Sequence, residues 1–167
     1  MLTLRLPDGS SRQVGPGTTP RAVAETIGKR LAQAAVAARV DGAIVDLDRE
    51  LPADGEVAFQ VLTDKDRDSL DVLRHSCAHV MARAVMRLFP GVQLAFGPTI
   101  ENGFYYDIDV TPPIKEDDFP RIEEEMRKIV AQAEPFERFE RPTAEARALC
   151  QDLGQGYKIE HIDDDLK

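Results

Sequence analysis

The stretch from Thr63 to Ser69 (Thr-Asp-Lys-Asp-Arg-Asp-Ser) holds no apolar side chain, and it separates two different hydrophobic rhythms. Upstream, apolar residues alternate or form short runs, as strands require. Downstream they recur at helical spacing. One element cannot continue through such a change of period, so the charged stretch is the expected boundary between two domains, 1–62 and 63–167.

The first domain reads as a small sheet wrapped over one helix. Leu2, Leu4 and Leu6 alternate, Asp8-Gly9 is a hairpin signal, and Arg12-Gln13-Val14 returns as the second strand. Thr19 is placed to cap a helix that Pro20 opens, and Gly28 interrupts it. Ala35 to Val40 leads into a turn at Asp41-Gly42, after which Ile44-Val45 and Val57 to Leu62 supply the closing strands.

The second domain opens with a helix over Ser69–Phe89. Leu70, Leu73, Cys77, Val80, Met81, Ala84 and Leu88 form its apolar stripe, which assigns Cys77 to the core. His75 and His79 fall on the opposite side, together with Val72, Ala82 and Met86. At four-residue spacing the two imidazoles stand one turn apart, a geometry that holds a metal or a catalytic water. The same spacing also occurs in purely structural histidines. Beyond the helix the expectations are strands at Val92–Phe96 and Phe104–Val110, with turns at Gly97-Pro98 and Asn102-Gly103. A helix over Lys115–Ala133 turns Phe119, Ile122, Met126, Ile129 and Val130 inward. A strand at Phe136–Arg141 follows, then a helix at Thr143–Leu153 stopped by Gly154, and a short strand at Tyr157–Glu160. Asp163 to Asp165 reads as a solvated tail.

Composition narrows the function classes. No apolar run approaches the ~20 residues of a membrane span, and the start of the chain lacks the apolar core of a signal peptide. Cys77 and Cys150 are too few for a disulfide framework, which points to a reducing, cytoplasmic setting. A net charge of −9 disfavours broad coating of nucleic acid and any DNA-binding surface, but it leaves room for a pocket that takes one terminal nucleotide.

Three motifs carry a resemblance to a known family. Arg74-His75-Ser76-Cys77-Ala78-His79, Gly97-Pro98 through Glu101-Asn102-Gly103-Phe104-Tyr105-Tyr106-Asp107, and Gly156-Tyr157-Lys158 together resemble the N-terminal region of bacterial threonyl-tRNA synthetases. The resemblance covers the whole chain and implies an α+β protein. A ubiquitin-like β-grasp (TGS) domain is followed by the first part of an editing domain of the threonyl/alanyl type.

The family's editing site pairs the His-x-x-x-His helix with a later Cys-x-x-x-His element. The chain ends at Lys167 before any such element, and the aminoacylation and anticodon-binding domains are likewise not in it. The expectation is therefore a fragment or shortened product whose editing fold is truncated and whose site is incomplete.

The resemblance also implies a chemistry. Serine lacks one methyl of threonine, worth only about 1–3 kcal/mol of discrimination, so the family removes serine from mischarged tRNA(Thr) by hydrolysis. His75 and His79 would position or activate the water, and Lys158 would stabilise developing negative charge near the ester. Gly97 and Pro98 would let backbone approach the seryl-adenosine end, which Tyr106 would help to hold. No metal is expected at these residues and no cofactor in this chain. ATP, magnesium and zinc would serve the parent's aminoacylation domain. The partner would be the 3′ end of tRNA(Thr), with no membrane, and the isolated chain would be a monomer of a dimeric parent. The rival readings are a non-catalytic tRNA- or protein-binding module and a freestanding zinc-dependent deacylase.

Overall fold

The computed structural model describes residues 1–135, 137 and 139–165. Two compact units emerge, Met1–Leu73 and the chain from Arg74 onward. Their division falls inside one long helix.

In the first unit, β1 (Leu2–Arg5), β2 (Ser11–Val14), β3 (Ala35–Val40), β4 (Ala43–Val45) and β5 (Gly55–Thr63) form one sheet in the order β2-β1-β5-β3-β4. β1 pairs antiparallel with β2 and parallel with β5. Local chemistry sets each turn. At the first hairpin Gly9 takes φ 83°, and the Asp8 carboxylate accepts from Ser10 N at 2.9 Å. At the second, Asp41 (φ 47°) and Gly42 (φ 86°) supply the two consecutive positive φ values that a tight hairpin between right-twisted strands needs. Helix α1 (Pro20–Ile27) starts where Thr19 Oγ1 accepts from Ala22 N at 3.3 Å. Gly28 then separates it from α2 (Lys29–Ala34). The core gathers Leu2, Leu4, Val23, Ala38, Leu51, Val57 and Phe59. Alternate residues of β1 reach it, as the period of two requires.

The charged segment is an ordered turn rather than a loose linker. The Asp66 carboxylate accepts from Thr63 N at 2.6 Å and from Thr63 Oγ1 at 2.9 Å, and these bonds hold its pKa below the usual carboxylate value. Helix α3 (Arg67–Leu88) begins at the next residue.

Along α3, which runs from the first unit into the second, the buried face differs from the expected stripe. Ala78, Ala82, Ala84 and Val85 are buried, whereas Leu70 and Leu73 are each 42% exposed and Cys77 is also exposed. The buried arc lies about a quarter turn round the helix from the expected one. Small alanines let neighbours approach closely there, and Ala82 joins a core of Val85, Val92, Leu94, Ile122 and Ile129.

The two strands expected between 92 and 110 are shorter than the periodicity suggests. β6 (Gln93–Leu94) pairs with β9 (Ile108–Asp109), and β7 (Thr99–Ile100) pairs with β8 (Gly103–Phe104), all antiparallel. Three bonds bridge the two ladders: Ala95 N to Asp107 O (3.0 Å), Asp107 N to Phe96 O (2.7 Å) and Tyr105 N to Pro98 O (3.4 Å). The result is one ribbon folded back on itself, interrupted where Pro98 has no N–H to give. Tyr106 therefore sits between β8 and β9, in neither strand.

Helix α4 (Phe119–Gln132) follows a short 3-10 turn at Glu116–Asp118. Ile122 and Ile129 are buried, but Phe119 and Val130 are 53% and 65% exposed because both lie on one flank of the inward stripe. Of the expected strand at 136–141, Phe136 and Arg138 lie outside the described residues. Glu137 and Phe139 to Arg141 belong to no regular element.

Helices α5 (Thr143–Asp152) and α6 (Gly156–Asp165) pack together, and Arg147 bonds Asp163 at 3.0 Å. The expected strand at Tyr157–Glu160 is thus the first turns of a helix. Tyr-Lys-Ile-Glu alternates over four residues, too short a window to separate the two periods.

Among the described residues no helix is long and apolar enough to cross a membrane.

Candidate functional site

The residues singled out from the sequence lie on three elements: the histidines on α3, the lysine on α6, and the glycine, proline and tyrosine on the β6–β9 ribbon. On α3, His75 Nε2 and His79 Nε2 lie 2.8 Å apart, with ring centroids at 4.6 Å and planes inclined by 61°. A bond of that length has one ring carrying its proton on Nε2 and the other presenting a lone pair. At least one imidazole of the pair is therefore neutral.

His79 keeps a solvent-exposed edge, yet its pKa is pushed below the ordinary 6.5. Partial desolvation is the largest cause, followed by the charge of His75 and that of Lys158. Burial and nearby cations both disfavour the imidazolium, so His79 is neutral at physiological pH. We expect Lys158→Met to raise the His79 midpoint in an NMR titration without returning it to 6.5, because desolvation remains. An unmoved midpoint would show that the ammonium does not reach the ring.

Lys158 is partly buried on α6, and its Nζ donates to Ala95 O at 2.7 Å. Two residues further along the ribbon, Gly97 has no room for a side chain. A Cβ there would come 2.3 Å from Tyr106 Cδ2 and 2.4 Å from Cε2. The Tyr106 ring lies directly on that glycine, and burial raises the pKa of its phenol. Pro98 is exposed and contributes its carbonyl to the Tyr105 N–H. The ammonium thus bonds next to the Gly97–Tyr106 contact, and its charge is the smallest of the three causes that lower the His79 pKa.

A groove of about 670 Å³ opens beside the histidine pair, lined by His75, His79, Val80, Arg83, Ile129 and Glu134 among others. Arg83 and Glu134 close one side with an ion pair at 2.5 Å. Its size falls in the range of small-molecule sites.

His75 and His79 could give two nitrogens to a metal. Among the described residues no group of three or more His, Cys, Asp or Glu is gathered, whereas a structural zinc takes four ligands. The residues here do not complete such a site, and no step is assigned to a metal.

Sequence reasoning passed over Gln155, which is 8% exposed and hydrogen-bonded at both ends of its amide. Its only signal was position, a glutamine inside a Gly-Gln-Gly turn directly before Tyr157-Lys158.

A TGS domain matches residues 3–59, the strands and helix of the first unit. Over 98% of its length the chain is 54% identical to the threonine–tRNA ligase of Rhodopirellula baltica, of which it covers 22%. It is 48% identical to that of Rubrobacter xylanophilus, covering 25%. The chain is related to the N-terminal region of bacterial threonine–tRNA ligases. It spans about a quarter of the length of these curated relatives. Its ubiquitin-like β-grasp unit and its mixed second unit make it an α+β protein.

Proposed function

We propose that this chain is the proofreading part of a threonine–tRNA ligase and that it hydrolyses Ser-tRNA(Thr). The reading assigns residues 1–62 to the TGS domain and 63–167 to an editing domain. In the parent, threonine is joined to tRNA(Thr) with ATP, and the metal ions serve that step rather than these residues. The setting is the cytoplasm. The observation that carries the reading is the His75–His79 contact at 2.8 Å, with a neutral His79 whose pKa is lowered by burial first and by the charges of His75 and Lys158 after it.

The chemistry needs a proton acceptor for water and positive charge for the oxygen that becomes an anion. A water oxygen attacks the seryl ester carbonyl while its proton passes to a neutral imidazole. The C–O bond to the ribose then breaks, and the ribose oxygen recovers the proton, leaving serine and intact tRNA. Lys158 offsets the developing negative charge. The flat Tyr106–Gly97 contact offers a surface on which the terminal adenosine can lie.

The test is release of serine from Ser-tRNA(Thr) by the full gene product without ATP. Turnover that depends on His79 supports the reading. tRNA binding without turnover would favour the non-catalytic binding module instead.

A further inference from the structure

We infer that Gln155 and Gln93 form a reciprocal latch that holds the first turn of α6 on the β6–β9 ribbon, making Gln155 a positioning residue for Lys158. Its catalytic consequence rests on the editing reading above; the latch itself does not.

The turn before α6 aims Gln155. Helix α5 ends with Gly154 at φ 66°, Gly154 N bonding Gln151 O at 3.0 Å and Gln155 N bonding Cys150 O at 2.9 Å. This paired arrangement is a Schellman ending, and it fixes the backbone at Gln155. From there the amide behaves as an extra strand beside β6. Its Oε1 accepts from Leu94 N at 3.0 Å and its Nε2 donates to Val92 O at 3.1 Å. Gln93 answers in the other direction, its Oε1 accepting from Gly156 N at 3.1 Å. That N–H is one of the unpaired donors at the start of a helix, so the bond also caps α6.

Two further contacts continue the seam. Tyr157 Oη donates to the Asp109 carboxylate at 3.2 Å, and Lys158 Nζ donates to Ala95 O. Residues 155 to 158 therefore each bond the ribbon in succession. The Lys158 stem is long and flexible, and lysine alone has many rotamers to lose. What confines its ammonium is the short span from the Gln155 anchor to the Ala95 carbonyl.

The test compares the full gene product with Gln155→Met, which keeps the volume and removes both polar ends, and with Gln93→Met as a second, less buried variant. Lys158 is acylated with acetic anhydride and its modification is mapped by mass spectrometry. The latch predicts protection in the wild type and clearly faster labelling in both variants; unchanged labelling overturns it. In parallel, Ser-tRNA(Thr) hydrolysis is followed. Gln155→Met should lower kcat by about 10- to 100-fold, the range for a misplaced group, with KM nearly unchanged. The double variant Gln155→Met/Lys158→Met should be no slower than Lys158→Met alone. Multiplying losses, or an unaltered kcat in an enzyme that His79→Ala does abolish, overturn the positioning role while leaving editing intact. If the wild type shows no His79-dependent hydrolysis, the editing reading fails, and the labelling still decides the latch.

Discussion

Replacing His79 with alanine slows hydrolysis of Ser-tRNA(Thr) by about 10²- to 10⁴-fold, the range for loss of a general acid–base group. The size follows from the site's economy of groups. The His75–His79 pair presents a nitrogen base kept neutral by burial and by the charges of His75 and Lys158. Its depressed pKa leaves His79 unprotonated at pH values where an ordinary histidine would be partly charged. The sign can be followed through to stability. The folded chain binds fewer protons at His79 than the unfolded chain does. The associated stabilisation is therefore fully present above 6.5 and is lost as pH falls through the lower folded value. Alanine is the best helix former, so the substitution on α3 should leave folding intact. A thermal melt and a tRNA-binding isotherm serve as controls. Because the two rings share one proton, His75→Ala and His79→Ala should not multiply in the double variant. An enzyme that keeps its rate without His79 would remove the base from the scheme.

The second large effect is expected at Gly97. Its carbon hydrogens already meet the Tyr106 ring, and a methyl group would lie at 2.3 Å, well inside contact distance. Neither the ring nor the backbone can yield cheaply. Tyr106 packs against the core cluster that holds Val92, Leu94, Ile122 and Ile129, and the ribbon is pinned on the two sides of Gly97 and Tyr106 by the Asp107–Phe96 and Tyr105–Pro98 bonds. Overpacking of this kind costs about 1–3 kcal/mol. Displacing the ring or the strand should also lower hydrolysis by about 100-fold, since it moves the surface on which the substrate lies. The control is Tyr106→Ala, which removes the obstacle. In that background Gly97→Ala should cost little further stability, measured by denaturant midpoint. If Gly97→Ala alone is as stable and active as the wild type, the close contact plays no part.

Most of the first unit was legible because its signals are local. Asp8-Gly9 and Asp41-Gly42 had to be turns and Thr19-Pro20 had to open a helix, just as Gly154 had to close one in the second unit, whatever packed around them. The long helix α3 was equally plain, as was the shared face of His75 and His79. Which arc of α3 is buried was not, because the arc is chosen by Val92, Leu94, Ile122 and Ile129, residues distant in sequence. Cys77 was misplaced for that reason. The helix at Gly156–Asp165 was read as a strand from four alternating residues, although its start is set by the Schellman turn and by Gln93. Lys158 was identified through its motif, but its seat on the Ala95 carbonyl needed the fold. Gln155 was missed altogether, since a glutamine announces burial only when its partners are in view.

The most direct measurement sets Ser-tRNA(Thr) beside Thr-tRNA(Thr) in the same hydrolysis assay, using the full gene product without ATP and its His79→Ala variant. The proofreading account predicts rapid release of serine, much slower release of threonine, and loss of the serine reaction in the variant. Equal release of both amino acids, or serine release that survives the loss of His79, would contradict it.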